Sequence, residues 1–200
     1  MDVYEAVTGR RSVRRFRDAP VAYDVLEKCV NAARLAPSAM NSQLCEYVIV
    51  DDERLLPLVL DAVSMWGGVP RPEEGWSPER RPRAYIITLI NMELAMELGV
   101  GRRNADYDAA LAVENMVLVA QEQGLGSCVI TSINRKKLRR ALNIPDRYEI
   151  AILLALGYPD ESPVPEVADG SVERWTDDNG VLHVPKRRLE DVLHRNRFLE

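Results

Sequence analysis

Cysteine is scarce. The 200-residue chain holds three, Cys29, Cys45 and Cys128, odd in number, far apart and in no C-x-x-C spacing. That argues against a disulfide framework and a zinc site, and the three read as reduced, cytosolic thiols. Histidine is scarcer still. His183 and His194 are the only two, each remote from paired carboxylates or cysteine motifs, so both read as structural or surface residues. Long hydrophobic runs are missing as well: Ala84 to Ile90 and Ile150 to Leu156 fall far short of the roughly 20 residues that cross a bilayer. The amino terminus carries Asp2 and Glu5 with no apolar stretch behind a basic start, which is not the pattern of a secretory signal. The expectation is a soluble, cytoplasmic protein with no membrane partner. There is no basic excess either. A net charge of −5 disfavours generic nucleic-acid binding, whose affinity comes mostly from neutralising many phosphates over a broad basic face.

What is present suits a layered α/β (α+β) protein. The length fits a single domain that buries about 70% of its unfolded surface. Residues 2–8 predict a short helix before Gly9, and the apolar period from Ala22 to Ala36 predicts an amphipathic one stopped by Pro37. Tyr47 to Val50 reads as a strand and Arg54 to Val63 as a helix, with Pro57 in its first turn. Ala84–Ile90 and Ile150–Leu156 are continuously apolar, as strands covered on both faces are. Between them, Asn104 caps a helix with Asp106 and Asp108 in its first turn, apolar nearly all round up to Gly124, and so buried in the core or against another subunit. Cys128 to Ile133 predicts a strand, Asn134 to Leu142 a basic helix, 161–178 a polar connection, and the arm 184–200 a basic cluster followed by a short amphipathic helix. No internal repeat is visible. Residues 66–82 hold so many Gly and Pro residues, beside Trp66 and Trp76, that they predict a lid-like loop.

The most unusual stretch is Arg10-Arg11-Ser12-Val13-Arg14-Arg15-Phe16-Arg17, five arginines in eight residues of an acidic protein. Guanidinium forks around a hydroxyl are what a phosphate monoester requires. A solvated basic turn or a nucleic-acid arm is the plainer interpretation of the same residues. The loop Pro37-Ser38-Ala39-Met40-Asn41-Ser42-Gln43 is equally open between an ordinary Asx or Ser turn and an amide-rich binding loop. Gly126 to Ser132 can be a buried strand after a glycine helix stop, a backbone platform, or both.

Together the arginine loop, the Pro37–Gln43 loop, the Gly124-Leu125-Gly126-Ser127-Cys128 turn and the Lys186-Arg187-Arg188 tail resemble the FMN-dependent nitroreductase family in order and spacing across nearly the whole chain. The resemblance implies a central, mostly antiparallel sheet sandwiched by helices, in an intertwined homodimer with two equivalent sites at the subunit interface, each holding FMN without a covalent link. It implies that Arg10 and Ser12 bind the ribityl phosphate, with Lys186 and Arg188 closing on it from the tail, and that Arg11 is also among the cofactor-binding residues. Arg14 would lie near the pyrimidine side of the ring, where a cation favours the anionic reduced flavin. Pro37, Ser38, Ala39, Asn41 and Gln43 would line the ring edge and ribityl hydroxyls. The segment from Gly126 through Ser127 to Ser132 would pass beneath the ring, its backbone or the Thr131 hydroxyl donating to N5. Many members have Pro and Trp where this chain has Leu44 and Cys45, and Trp and Gly where it has Val129 and Thr131, so the pocket wall beside the flavin differs. A hydroxyl at Thr131 is similar to the deiodinase-like branch.

The implied reaction is ping-pong transfer from NAD(P)H, through FMN, to an electron-poor acceptor such as a nitroaromatic or quinone. No protein nucleophile is required, because the hard chemistry belongs to the cofactor. Trp66 and Trp76 either stack on aromatic acceptors or simply pack the loop. Two other functions stay open: a reductive dehalogenase or another specialised flavin reductase on the same fold, and a phosphate- or nucleic-acid-binding module built on the arginine loop.

Overall fold

The computed structural model describes residues 1–66 and 81–198, together with the backbone pairing of residues 69 and 70. Trp76 and most of the expected lid lie outside the described residues. The chain divides into two compact units, Met1–Asp160 and Glu161–Glu200.

In the first unit, α1 (Val3–Gly9) is opened by a capping box between Asp2 and Glu5, which satisfies two of the amide groups a helix start leaves orphaned. Next come α2 (Tyr23–Arg34), β1 (Cys45–Val50), α3 (Leu56–Asp61) with Pro57 in its first turn, and the two-residue strands β2 (Met65–Trp66) and β3 (Val69–Pro70), which pair antiparallel. After them run β4 (Ala84–Asn91), α4 (Met92–Glu97), α5 (Arg102–Glu122), β5 (Gly126–Ile130), α6 (Arg135–Leu142) and β6 (Tyr148–Gly157).

Strands β1, β4, β6 and β5, in that spatial order, form one sheet in which every pairing is antiparallel. The period of two hidden inside the apolar run of β4 explains its composition. Ala84 and Ile86 face α2 and α5, packing with Leu26, Cys29, Val113 and Met116. Tyr85 and Ile87 face the other way, packing with Leu56, Val59 and Leu60 of α3 and Leu138 of α6. With no solvent side, the strand has no polar alternation to display. The helix–sheet–helix layering is therefore as the sequence predicts.

Several boundaries differ. Helix α5 starts at Arg102 with Gly101 as its cap, so Asn104 lies inside the first turn and Asp108 is not a first-turn residue at all. Asp108 is buried on the core stripe with Ala105, Ala109, Ala112 and Met116, where the apolar neighbours pull the helix register inward. Helix α4 was not visible in the sequence pattern; Asn91 caps it by accepting from the Leu94 amide at 3.1 Å.

The second unit is a small sheet in which β9 (Leu182–Lys186) pairs parallel with β7 (Val164–Val167) and antiparallel with β8 (Trp175–Thr176). The expected polar connection at 161–178 thus holds two strands. The amphipathic helix expected near the end is only a 3-10 turn, Leu189–Asp191. His183 organises this unit: it stacks on Trp175 at 3.9 Å, and its Nδ1 lies 2.9 Å from Glu166 Oε2.

Candidate functional site

The arginine segment is pinned by its two apolar residues. Val13 and Phe16 are buried, and the Val13 amide donates to the Ser127 carbonyl at 2.8 Å while Ser12 pairs parallel with Ser127. Farther along, Arg17 N–H donates to Tyr158 O, and Phe16 pairs with Pro159. Two glycines make this approach possible. A Cβ on Gly126 would lie 2.7 Å from Val13 Cβ, and one on Gly157 would lie 2.8 Å from the Phe16 ring, distances that packed carbon atoms do not tolerate.

The result is a loop whose charges are graded by position. Arg10, Arg11, Ser12 and Arg14 are half-buried against the first unit, whereas Arg15 and Arg17 stand in solvent. Arg11 donates to the carbonyl of Arg10, but its Nε is buried without a hydrogen-bond partner among the described residues. Burial first, and the neighbouring Arg10 charge second, pull the Arg11 pKa down. Crowded, desolvated cations of this kind call for an anion.

Trp66 joins the same cluster. Its Nε1–H donates to the Arg14 carbonyl at 3.2 Å, and the indole packs on the core. The loop after β5 is tied in by Ser64 N–H to Ser132 O at 2.9 Å and by Ser132 Oγ–H to Met65 O at 3.1 Å. Gly126 and Ser127 are buried at the root of β5, and Thr131 is exposed just past its end. Arg10, Arg11, Ser12, Arg14, Gly126, Ser127 and Trp66 therefore converge, with Thr131 at the cluster's margin.

The Pro37–Gln43 loop lies elsewhere. Pro37, Asn41 and Gln43 are exposed and Ser38 is half-buried. Met40, Asn41 and Gln43 all hold positive φ, at 54°, 54° and 49°, each a strain of about 1–3 kcal/mol for a non-glycine residue. The loop leads directly into β1, while the arginine segment sits on β5. These are opposite edges of the four-stranded sheet, three strand spacings of about 4.8 Å apart. One chain does not bring the two halves of the expected site together.

Lys186 ends β9 and Arg188 follows it, both exposed, in the second unit. One residue with a place in this geometry was missed by sequence reasoning. Asp108 accepts the Ala39 amide on both carboxylate oxygens, at 3.0 and 3.1 Å. Its signal was a lone acidic side chain on an otherwise apolar helical stripe. With Ser38, Gln43, Cys45 and Tyr47 it lines a cavity of about 130 Å³. Burial, and then the Asp108 charge, push the Cys45 thiol up to about 11, so it is protonated at neutral pH.

The Nitroreductase family model matches residues 7–158, a span that begins at the end of α1 and closes just past β6. The chain belongs to the nitroreductase family. Among curated proteins this family member is 30% identical to an NADH dehydrogenase of Thermus thermophilus, across 82% of this chain and 90% of that one. It is 26% identical to an iodotyrosine deiodinase of Thermotoga neapolitana, across 80% and 89%. Among solved structures, a putative nitroreductase of Desulfovibrio desulfuricans in complex with FMN superposes with a TM-score of 0.73 at 21% identity, across 100% of this chain and 99% of that one. That last likeness establishes the fold.

Proposed function

We propose that this nitroreductase-family enzyme is an FMN-dependent oxidoreductase that passes electrons from NAD(P)H to an electron-poor small molecule such as a nitroaromatic or quinone. The observation that carries the reading is the half-buried arginine cluster with an orphaned Arg11 Nε and no ion pair to Arg10 or Arg11 among the described residues. Its donors fit the phosphate of FMN: Arg10 and Arg11 supply charge, and Ser12 a hydroxyl beside them. Arg14 extends positive charge along the same loop, and Trp66 holds that loop's backbone in place. FMN, when bound, supplies the redox chemistry; the protein binds it, orients it and shields it from water.

The amide loop at Ser38, Asn41 and Gln43 completes such a site only from a second copy of the chain, because β1 and β5 occupy opposite sheet edges. A homodimer is therefore part of the proposal. It is supported by exposed Tyr107 and Leu111 on α5 and by exposed Leu35 and Met40 flanking the amide loop, an apolar face that burial would stabilise. Lys186 and Arg188 enter as the additional cations implied by the sequence resemblance. A cytoplasmic location, suggested by three free thiols, and a role for Trp66 beside the acceptor are included. Thr131, exposed beyond β5, is the proposed hydroxyl donor to N5. The described residues do not favour dehalogenation over nitro or quinone reduction.

The purified protein is expected to be yellow and to bleach when NADH or NADPH is added without oxygen. Arg10→Ala is expected to weaken FMN about 10- to 100-fold, the range of a lost charge-assisted hydrogen bond, and Arg188→Ala tests the tail. A colourless protein that takes up no FMN, or one whose ligand affinity falls steeply with salt, would overturn the assignment.

A further inference from the structure

The Asp108 carboxylate is buried, lies in the second turn of α5 and forms no ion pair among the described residues. It accepts on both oxygens from the amide of Ala39, a residue 69 positions away. Burying an ionised carboxylate for one amide is costly, and the fold gains little from it that an alanine on the same stripe would not give. The gain is local to the loop. Ala39 begins the turn in which Met40, Asn41 and Gln43 are all left-handed, and such backbone persists only where its surroundings over-determine it.

The other hydrogen bonds here begin and end inside the loop: Asn41 N–H to Ser38 O, Ser42 N–H to Ala39 O, Gln43 N–H to Ser38 Oγ, and Gln43 Nε2–H to Asn41 O. They shape the loop but do not attach it to anything. The Asp108–Ala39 bond ties it to the core helix, and it also removes the Ala39 amide from the donors available to a ligand.

We propose that Asp108 is a positioning residue: it anchors the Ala39–Gln43 turn to α5 so that the Asn41 and Gln43 amides are preorganised for the flavin ring without Asp108 touching the cofactor. The inference rests on the FMN reading above. It predicts that cofactor affinity is controlled from inside the helix layer by an acceptor at position 108, and that a neutral acceptor of the same shape retains most of the effect.

Three variants of the full-length protein test it. Asp108→Ala removes the acceptor, Asp108→Asn keeps an amide oxygen in place, and Ala39→Pro removes the donor at the first position of a helical turn, where proline is tolerated. FMN dissociation constants are read by flavin fluorescence, with visible circular dichroism of the bound flavin reporting ring orientation. Thermal melting reports folding. Asp108→Ala and Ala39→Pro are each expected to weaken FMN about 10- to 100-fold and to alter the flavin circular dichroism, with KM for the acceptor rising more than kcat falls. Asp108→Asn is expected to stay within about threefold of the parent. The double variant Asp108→Ala/Ala39→Pro is expected to be no worse than either single one, because both break one bond.

A lower melting temperature with unchanged FMN affinity and unchanged flavin circular dichroism would overturn the proposal. So would additive effects of Asp108→Ala and Ala39→Pro. Should Asp108→Ala fail to fold, Ala39→Pro and Asp108→Asn still decide, since tight FMN binding by Ala39→Pro or a large loss in folded Asp108→Asn contradicts it. A parent protein that binds no FMN refutes the functional reading itself, and the parent titration shows this separately.

Discussion

Gly126→Ala isolates the contact on which the arginine loop depends. The new Cβ would meet Val13 Cβ at 2.7 Å and both Val13 Cγ atoms at 2.8 Å. Val13 is buried and β-branched, so it has no free rotamer to escape into. Backbone strain is not involved, since Gly126 is not among the residues with positive φ. Either β5 or the loop must move. Overpacking of this kind costs about 1–3 kcal/mol, which for a chain of this size lowers Tm by roughly 2–12 °C. The movement falls on the Val13–Ser127 hydrogen bond and on the neighbouring Arg10–Ser12 donors. Loss of one charge-assisted phosphate contact corresponds to at least about a tenfold drop in FMN affinity.

A double-mutant cycle with Val13→Ala sharpens the argument. Val13→Ala alone opens a small void, but in the Gly126→Ala background it removes both Cγ clashes and leaves only the Cβ contact. The double variant is therefore expected to be more stable than the sum of the singles by about 1 kcal/mol, within the range seen for touching residues. Urea denaturation and flavin titration read both effects. Additive destabilisation, or a Gly126→Ala protein that melts and binds FMN like the parent, would refute the packing account.

Two other expectations follow from the hydrogen-bond pattern. Trp66→Phe keeps the packing but removes the donor to the Arg14 carbonyl, and is expected to cost about 1 kcal/mol in urea denaturation while FMN stays bound. In the second unit, the Trp175 indole donor foremost holds the Glu166 carboxyl below its usual range, and the Val181 amide foremost does the same for Asp177. Both folded pKa values are depressed, so their stabilisation is complete above the ordinary carboxylate range and fades as pH falls through the lower folded values. The Trp175 indole N–H resonance in NMR is expected to hold its position at neutral pH and to shift below about pH 4; an unchanged resonance down to full protonation would contradict this.

The layered fold was legible because β4 and β6 are apolar at nearly every position and because α2 has a clean helical period. Boundaries were less so. Asn104 looked like a cap, yet the burial of Ala105, Asp108 and Ala109 fixed α5 a turn earlier, at Gly101, where tertiary packing outweighs local capping preference. Strands β7 and β8 escaped notice because short, exposed strands carry little hydrophobic pattern. Within the candidate site, the arginine loop and Gly126-Ser127 were recognised as separate motifs and the structure joins them. The reason they join, Val13 against Gly126, is a contact between residues 113 positions apart, which no local pattern encodes. Asp108 is hidden for the opposite reason: an acidic residue near a helix start suggests the helix dipole, whereas its hydrogen bonds come from Ala39, 69 positions away.

The parallel pairing of Ser12 with Ser127 places the arginine segment along the otherwise open side of β5. Bare strand edges invite other chains to add on, and crowded positive charge is a standard deterrent. The segment from Arg10 to Arg17 therefore guards that edge against runaway self-association. Mutants that loosen this segment or remove its charges should precipitate sooner.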